Sequence, residues 1–479
     1  MLFNSYIYIF VFLPITFIIY FYLIKKRLII LSKTFLIFSS LFFYAYWNIM
    51  YLPLILISML FNYSIGNSFS EIKKQRIKKI ILVFGISINL ILLGYFKYSD
   101  FFIENINNLF HVHLSLLNLA LPLAISFFTF QQIAYLVDSY KGETKEYNFL
   151  NYALFVTFFP QLIAGPIVHH KEMMPQFANI WNLSKNYKNI ALGIFIFSIG
   201  LFKKVVIADT FALWANNGFD IATHLNMIEA WVVSLSYTFE LYFDFSGYTD
   251  MAIGSALLFN IKLPINFFSP YKSLNIQDFW RRWHITLGRF LKEYIYIPLG
   301  GNRTSKVRTY INLLITFILA GLWHGASWLF VFWGFLHGMA LVIHRIWHNF
   351  NFKMNKILAW FITFNFINIS WVFFRAKDWD SAIKILHGMF LGELILPEKL
   401  YVLHDFNIKL GYVFSDIQGK DKTFIFVIFA FIIVLFFKNS IEYMSSFKPT
   451  KWTLIWSVIL FVYSVLSLTK VSEFIYFNF

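Results

Sequence analysis

Apolar blocks of membrane-spanning length recur along the chain, separated by short basic or broken segments. A helix needs roughly 20 predominantly apolar residues to cross a hydrocarbon core of about 30 Å, whereas barrel strands are alternating segments of about ten residues. The pattern therefore predicts an all-α polytopic membrane protein with about 11 to 14 transmembrane helices. The candidate spans are residues 1–24, 28–47, 51–68, 80–97, 115–137, 150–168, 189–212, 230–250, 309–331, 331–347, 357–374, 422–437 and 452–469.

Residues 251–308 depart from this pattern. Pro264 and Pro270 stop helices, and irregular backbone at membrane depth is tolerated only where it is buried in protein or lines a wet cavity. We therefore predict short interfacial or re-entrant helices that wall a cavity. Residues 309–347, which follow, must hold two helices joined by a tight turn.

The composition supports a membrane protein and excludes several chemistries. Hydrophobic residues make up 59% of the 479 positions and charged residues 13%, whereas a soluble domain has about 25% charged residues. The net charge of +16 comes from short clusters between apolar blocks, which the excess of Lys and Arg in cytoplasmic loops explains without a nucleic-acid partner. The absence of cysteine excludes disulfides, thiolate metal sites and a cysteine nucleophile.

The first two basic clusters predict an orientation. Lys25, Lys26 and Arg27 follow a long apolar block that lacks the basic start and cleavage site of a signal peptide. This block is therefore expected to remain as the first span, with the N-terminus outside. The next basic cluster, residues 73–79, follows two more spans and falls on the same cytoplasmic side.

Two histidines lie where a titratable ring is costly. His324 is deep in an apolar stretch, where such residues usually have a function, and His284 follows Arg281, Arg282 and Trp283. An imidazole with a reference pKa of about 6.5 can take the proton of a hydroxyl at neutral pH, so His324 is a candidate general base. The alternatives are a buried histidine that bonds a carbonyl for His324, and a structural or donor-binding role for His284.

Residues 271–308 carry eight cations against two acids. A cytoplasmic loop that follows the usual charge bias explains this composition. The functional alternative is a basic mouth that attracts a polyanionic donor, such as the phosphates of a coenzyme. Residues 298–303, Pro-Leu-Gly-Gly-Asn-Arg, add glycines that let the backbone approach a ligand. The cations are Lys272, Arg281, Arg282, Arg289, Lys292, Arg303, Lys306 and Arg308.

Several runs of residues together carry a resemblance to a known family. They are Ser-Phe-Phe-Thr-Phe-Gln-Gln at 126–132, Phe-Pro-Gln-Leu-Ile-Ala-Gly-Pro at 159–166, Phe-Asp-Phe-Ser-Gly-Tyr-Thr-Asp-Met-Ala at 243–252, residues 278–284 and 294–303, Leu-Trp-His-Gly at 322–325, and Ser-Trp-Val-Phe-Phe-Arg-Ala at 370–376. Over nearly its whole length the chain resembles the membrane-bound O-acyltransferase family, and more narrowly its bacterial alginate and peptidoglycan O-acetyltransferase branch. The D-alanyl transfer protein of teichoic acids is a more distant relative.

The resemblance implies a helical fold around a central tunnel, and an O-acetyltransferase that moves acetyl from a cytoplasmic donor, expected to be acetyl-CoA, to a cell-envelope polysaccharide. Peptidoglycan is the expected acceptor; alginate or another exopolysaccharide, and D-alanyl transfer to teichoic acid, are the alternatives. The resemblance makes His324 catalytic and His284 its assisting partner or a tunnel residue. Donor-binding candidates are Arg281, Arg282, Arg303, Trp283 and Trp323, and no metal is expected.

The resemblance also implies a place and partners. The protein is expected in the bacterial cytoplasmic membrane among membrane lipids, with a separate extracytoplasmic acetyltransferase that modifies the cell-wall glycan. The rival class is a transporter or flippase of an envelope precursor, which would also need broken helices and buried polar groups. Against this rival, the two halves of the chain show no paired interrupted segments, and the polar signals concentrate in one region.

The last residues, Phe-Ile-Tyr-Phe-Asn-Phe at 474–479, resemble the Phe-x-Tyr-x-x-Phe terminal motif of envelope acyl transfer systems, in which the tyrosine is thought to accept the acyl group. An aromatic tail that lies in the membrane interface is the alternative. The domain prediction is therefore one membrane domain over residues 1–470 and a tail over 471–479 that carries Tyr476. An extended tail of six residues reaches back roughly 20 Å. Delivery of the acetyl group outside the membrane requires an even number of spans, because the tail must then lie on the same outer side as the N-terminus.

Other polar residues receive structural expectations. Asp244 and Asp250 must be paired or face water in their apolar surroundings; pairing with a cation is expected, and tunnel lining is the alternative. His344 and His348 have the i, i+4 spacing of a metal pair, but no third ligand is nearby in the sequence. No function is assigned to His169, His170, His337, His344 or His348.

Overall fold

The computed structural model describes residues 1–144, 148–397, 409–468 and 475. Helices dominate this part of the chain, which confirms the predicted fold class. The strands within it are Ile395–Pro397 and Lys409–Gly411, a parallel pair in which Ile395 faces Lys409.

The helices follow the chain from Leu13 to Leu466. They are α1 Leu13–Lys25, α2 Ile29–Ala45, α3 Leu52–Glu71, α4 Gln75–Lys97, α5 Ser99–Phe110, α6 Ile125–Lys141, α7 Phe149–Thr157, α8 Phe159–Leu162, α9 His170–Ala178, α10 Tyr187–Phe202, α11 Asp209–Asn216, α12 Met227–Leu258, α13 Ile276–Arg282, α14 Ile285–Leu291, α15 Lys306–His324, α16 Trp328–Asn349, α17 Lys356–Arg375, α18 Trp379–Leu391, α19 Lys422–Phe436, α20 Ser440–Ser445 and α21 Lys451–Leu466.

Seven helical segments among the described residues are long and apolar enough to cross a membrane. Shorter apolar helices are α2, α19 and α21. The long segments are Tyr8–Lys25, Ile49–Glu71, Gln75–Lys97, Tyr187–Ile221, Lys306–His324, Trp328–Asn349 and Lys356–Arg375.

Two predicted spans are wrong in their bounds. The span at 115–137 is helical only from Ile125, because the chain passes through Pro122 and a left-handed Ala124 before α6 begins. The span at 150–168 is divided into α7 and α8, since Phe158 has a non-helical ψ of 109° and Pro160 occupies the first turn of α8, where proline is tolerated.

The broken character of residues 251–308 is confirmed, although α12 continues through the first eight of them to Leu258. Beyond it the chain forms a single 3₁₀ turn at Pro270–Lys272, the short helices α13 and α14, and a π-turn at Lys292–Tyr296. The two helices predicted within 309–347 are α15 and α16.

By its internal contacts the chain divides into two compact units. The first comprises residues 1–202 and 247–266 with the described residues from 444 onwards. Within it, small residues let α10 approach the C-terminal part of α12. A Cβ at Gly193 would lie 2.7 Å from the carbonyl oxygen of Gly254, and one at Gly200 would lie 2.6 Å from that of Gly247, so larger side chains are excluded at this helix contact.

The second unit comprises residues 203–246 and 267–443, and its α15–α16 hairpin is packed without room for side chains at two glycines. A Cβ at Gly321 would overlap the carbonyl of Phe330, and one at Gly334 would overlap that of Phe317. Ser327 caps α16 by accepting a hydrogen bond from the backbone N–H of Leu329 at 3.3 Å. The hairpin therefore fixes the end of α15.

We expect Gly321→Ala to destabilise the protein by about 1–3 kcal/mol, because the added methyl group overpacks a backbone contact. Thermal unfolding in detergent, followed by size-exclusion chromatography, measures the effect. Gly94→Ala in α4 is the matched control, since no described atom lies within 4 Å of a Cβ there. Equal unfolding temperatures for the two variants would contradict the close packing of the hairpin.

Candidate active site

His324 is the last residue of α15 and lies in an aromatic enclosure. Its side chain is 2% exposed. The ring centroids of Trp323, Trp333 and Phe374 are 4.9, 5.3 and 5.1 Å from that of His324. Because the α15–α16 hairpin supplies both tryptophans, its close packing sets the position of the histidine.

His284 connects α13 to α14 in a strained conformation. Its φ of 43° and ψ of 54° fall in the left-handed region, which costs a non-glycine residue roughly 1–2 kcal/mol and is frequent at functional sites. The ring is fully buried and meets Phe245 edge-on at 4.8 Å. Burial lowers the pKa of His284 to about 3, because the charged imidazolium would lose its hydration, so the ring is neutral at neutral pH.

Trp323 lies near both predicted histidines. Its ring centroid lies 4.9 Å from that of His324 and 6.4 Å from that of His284. The two histidines are forty positions apart in the sequence; His284 directly precedes α14, and His324 ends α15. The Trp323 indole therefore neighbours both imidazoles.

Trp283 and Arg282 serve the packing around this site. Trp283 is 1% exposed and packs against Phe267 and Trp371, each with ring centroids 5.0 Å away. Arg282 forms an ion pair with Asp278 at 2.9 Å, one helical turn away. Donor binding by either residue stays a prediction, as it does for the exposed Arg281.

A basic cavity of about 1030 Å³ is lined in part by the remaining candidate, Arg303. Its walls are formed by the π-helical turn Lys292–Tyr296, by Gly300 and Gly301, and by the C-terminal end of α16. Gly300 and Gly301 have φ values of 107° and 56°, a conformation that glycine adopts readily and other residues avoid. Asn312 of α15 anchors this turn by donating to the carbonyl oxygen of Gly301 at 3.1 Å. The cationic and imidazole side chains in the lining are Lys292, Arg303, His344, Arg345 and His348.

Three of these lining residues were missed in the sequence. His344 and His348 were given no function and Arg345 was not singled out, although their spacing puts them near one face of α16. The signal that could have found them was a group of basic and imidazole side chains at the end of an apolar block. Sequence spacing alone did not show that α16 returns to that segment.

The predicted pairing of Asp244 with a cation is confirmed. Lys204 lies 2.6 Å from Asp244 and 3.1 Å from Asp209, and the lysine and Asp244 side chains are no more than 5% exposed. Glu240, one turn before Asp244, is also buried and was missed in the sequence. One buried lysine therefore pairs with two carboxylates inside the second unit. The pairing of Asp250 stays a prediction.

The two histidines and the cavity all fall within the range that matches one family. The sequence model of MBOAT, the membrane-bound O-acyltransferase family, matches residues 30–377. The chain belongs to the membrane-bound O-acyltransferase family. It is therefore an O-acyltransferase and, with its apolar helices, a multi-pass membrane protein.

Named relatives refine the comparison. A peptidoglycan O-acetyltransferase of Helicobacter pylori is 50% identical over 518 aligned positions, which cover 100% of this chain and 98% of the relative. A probable alginate O-acetylase of Pseudomonas aeruginosa is 40% identical over 81% of this chain and 75% of its own. A teichoic acid D-alanyltransferase of Bacillus subtilis is 28% identical over 54% of this chain and 70% of its own.

The C-terminal tail of this O-acyltransferase lies beyond the family match, which ends at residue 377. Tyr476 also lies outside the described residues, so its predicted role rests on the sequence. Within the described ranges, no group of three or more His, Cys, Asp or Glu side chains is arranged to hold a metal ion.

Proposed function

We propose that the chain is a bacterial peptidoglycan O-acetyltransferase that takes acetyl from acetyl-CoA on the cytoplasmic side of the inner membrane and passes it to the outer side. The observation that carries this proposal is the 50% identity to the Helicobacter pylori peptidoglycan O-acetyltransferase, because it extends over both chains nearly end to end. The alginate O-acetylase relative is less similar and covers less of the chain.

The basic cavity supports acetyl-CoA as the donor. Arginine guanidinium groups bind phosphate through paired hydrogen bonds, and Arg303 and Arg345 line the same cavity as Lys292. Ligand cavities usually measure about 300–1,000 Å³, so a volume of about 1030 Å³ accommodates a coenzyme-sized molecule. The cavity and the two histidines lie in the same compact unit.

The chemistry follows from one imidazole that accepts a proton and another that remains neutral. The proposed base, His324, takes the proton of the acceptor hydroxyl as its oxygen attacks the acetyl carbonyl. The tetrahedral intermediate then expels the coenzyme thiolate, which receives the same proton from the imidazolium, so the products are an ester and a thiol. His284, with its low pKa, is a weak base and is suited to donate a hydrogen bond to the substrate as a neutral ring.

The route outward uses the C-terminal tail in this proposal. Tyr476 accepts the acetyl group, and a separate extracytoplasmic acetyltransferase then moves it to the glycan. A phenol with a pKa of about 10 and a thiol with a pKa of about 8.5 are leaving groups of similar quality, so the aryl ester retains most of the transfer potential. Both termini are extracytoplasmic in this arrangement.

Analysis of cell-wall fragments tests the acceptor. Deletion of the gene should remove O-acetyl groups from muropeptides measured by mass spectrometry, and the wild-type gene, but not His324→Ala, should restore them. Unchanged muropeptides in the deletion strain would contradict peptidoglycan as the acceptor. If the secreted polysaccharide loses acetyl groups instead, the result supports the second candidate, an alginate-type O-acetylase, which the 40% identity favours.

We expect Arg345→Ala to raise the KM for acetyl-CoA roughly 10-fold or more with little change in kcat, because a hydrogen bond to a charged group contributes about 1.5–3 kcal/mol. Steady-state rates in proteoliposomes measure both constants. Arg308→Ala is the matched control, because Arg308 is exposed and lies outside the cavity lining. Equal KM values for the two variants would show that the cavity does not bind the donor.

A further inference from the structure

His337 is a third buried histidine near the active site, and it belongs to neither the catalytic pair nor the basic cavity. It lies in α16 with no exposed surface. The rings of Trp280, Trp333 and Phe366 surround it, with centroids 5.1, 4.7 and 5.3 Å away. A polar ring in such apolar surroundings is costly unless it is hydrogen-bonded.

Two hydrogen bonds fix the tautomer of His337. The indole Nε1–H of Trp280 donates to Nδ1 of His337 at 3.2 Å, and because an indole can only donate, Nδ1 must carry a lone pair. The proton therefore resides on Nε2, which lies 3.0 Å from Oγ of Ser370. Ser370 in turn donates to the carbonyl oxygen of Ile367 at 2.8 Å. The chain of donors thus has one consistent direction.

This arrangement excludes a base role for His337. The lone pair of Nδ1 accepts the Trp280 proton, and Nε2 already holds a proton that it donates to Ser370. If Nδ1 were protonated, its N–H would face the indole N–H of Trp280, and neither group could accept a hydrogen bond from the other. His337 is therefore a neutral linker between side chains.

The linked side chains come from the elements that hold both active-site histidines. Trp280 belongs to α13, whose end leads directly to His284, and Ser370 belongs to α17, which supplies Phe374 beside His324. Trp333, one turn before His337, packs against both His337 and His324. One imidazole thus connects the supports of the two catalytic rings.

We propose that His337 is a positioning residue for the acyl transfer: as a neutral Nε2–H tautomer, it ties α13, α16 and α17 together and holds His284 and His324 in register. The inference rests on the proposed role of His324 as the base. It assigns His337 no contact with donor or acceptor. Displacement of a catalytic group by about 1 Å can lower a rate about 100-fold. Loss of the two hydrogen bonds of His337 should therefore lower kcat.

Three substitutions separate the two hydrogen bonds of His337. His337→Asn keeps an acceptor near Nδ1 for Trp280, His337→Gln keeps a donor near Nε2 for Ser370, and His337→Phe keeps the ring while removing both bonds. We expect the Phe variant to lower kcat about 10- to 100-fold with an unchanged KM. The Asn and Gln variants should recover part of that loss, and they also serve if the Phe variant does not fold.

The pH dependence of kcat/KM distinguishes positioning from proton transfer. All three variants should retain the wild-type profile, because the proposed base is His324 and not His337. Loss of one limb of the profile in every variant would make His337 an acid or a base and overturn the proposal, as would a Phe variant with the wild-type kcat. Trp280→Phe should reduce kcat in the same way and add little to His337→Phe, since both remove the same link.

A spectroscopic measurement tests the tautomer without reference to activity. Nitrogen-15 spectra of histidine-labelled protein, assigned by difference with His337→Asn, should show one neutral ring with the proton on Nε2. An imidazolium or an Nδ1–H tautomer overturns the inference even in an active enzyme. A further outcome is a wild-type protein that shows the expected tautomer and yet transfers no acetyl group. In that case the hydrogen bonds of His337 are confirmed, but the proposed function fails, and the positioning role of His337 in acyl transfer fails with it.

Discussion

Replacing His324 with alanine should lower the kcat for acetyl transfer by about 100- to 10,000-fold, which is the usual contribution of a positioned general base. His324 closes α15 inside an enclosure of three aromatic rings, so water is poorly placed to replace the imidazole. Release of coenzyme thiol from acetyl-CoA in proteoliposomes measures the rate per folded enzyme.

A second buried histidine provides the control for the His324 prediction. His170→Ala removes an imidazole of similar burial from the first compact unit, and we expect it to retain kcat in the protein that folds. Equal losses in the two variants would indicate that burial, and not proton transfer, explains the effect. A His324→Ala enzyme with the wild-type rate would refute the base role.

Replacing Tyr476 with phenylalanine should abolish the acetyl adduct on the C-terminal peptide. The phenol is the proposed carrier, and phenylalanine keeps its shape without the oxygen that would form the ester. Intact mass analysis of that peptide after incubation with isotopically labelled acetyl-CoA should show one added acetyl group in the wild-type protein and none in Tyr476→Phe or His324→Ala.

The matched control for the tail is Tyr463→Phe, which removes a half-exposed phenol in α21. Its C-terminal peptide should carry the same label as the wild-type peptide. If Tyr476→Phe also retains the label, the acetyl group resides on another atom and the tyrosine relay is wrong. If only His324→Ala loses it, the base role stands and the carrier must be sought elsewhere.

The effect of His324→Ala also distinguishes an acyltransferase from the rival transporter. A transporter would move an envelope precursor without using the proton affinity of His324, so its transport rate would survive His324→Ala. The membership of the chain in an O-acyltransferase family argues against that rival. Acyl transfer needs its reacting groups positioned around one substrate, and both histidines neighbour Trp323.

The sequence by itself determined the membrane class, the broken segment and the two histidines. A membrane-spanning helix needs about 20 apolar residues, so the length of 309–347 predicted two helices, α15 and α16. Prolines stop helices locally, so residues 251–308 were predicted as irregular. The same local rules placed the span at 115–137 too early, because they did not register how Pro122 and the left-handed Ala124 delay the start of α6.

Only the tertiary structure decided which polar side chains meet. Arg303 and Arg345 are far apart in the sequence, yet they line the same cavity. His337 was assigned no function from the sequence, and its tautomer is fixed by Trp280 and Ser370 from two other helices. Hydrophobic periodicity specifies which face of a helix is buried, whereas partners distant in the sequence depend on how helices pack, and that packing decides what each buried polar group can do.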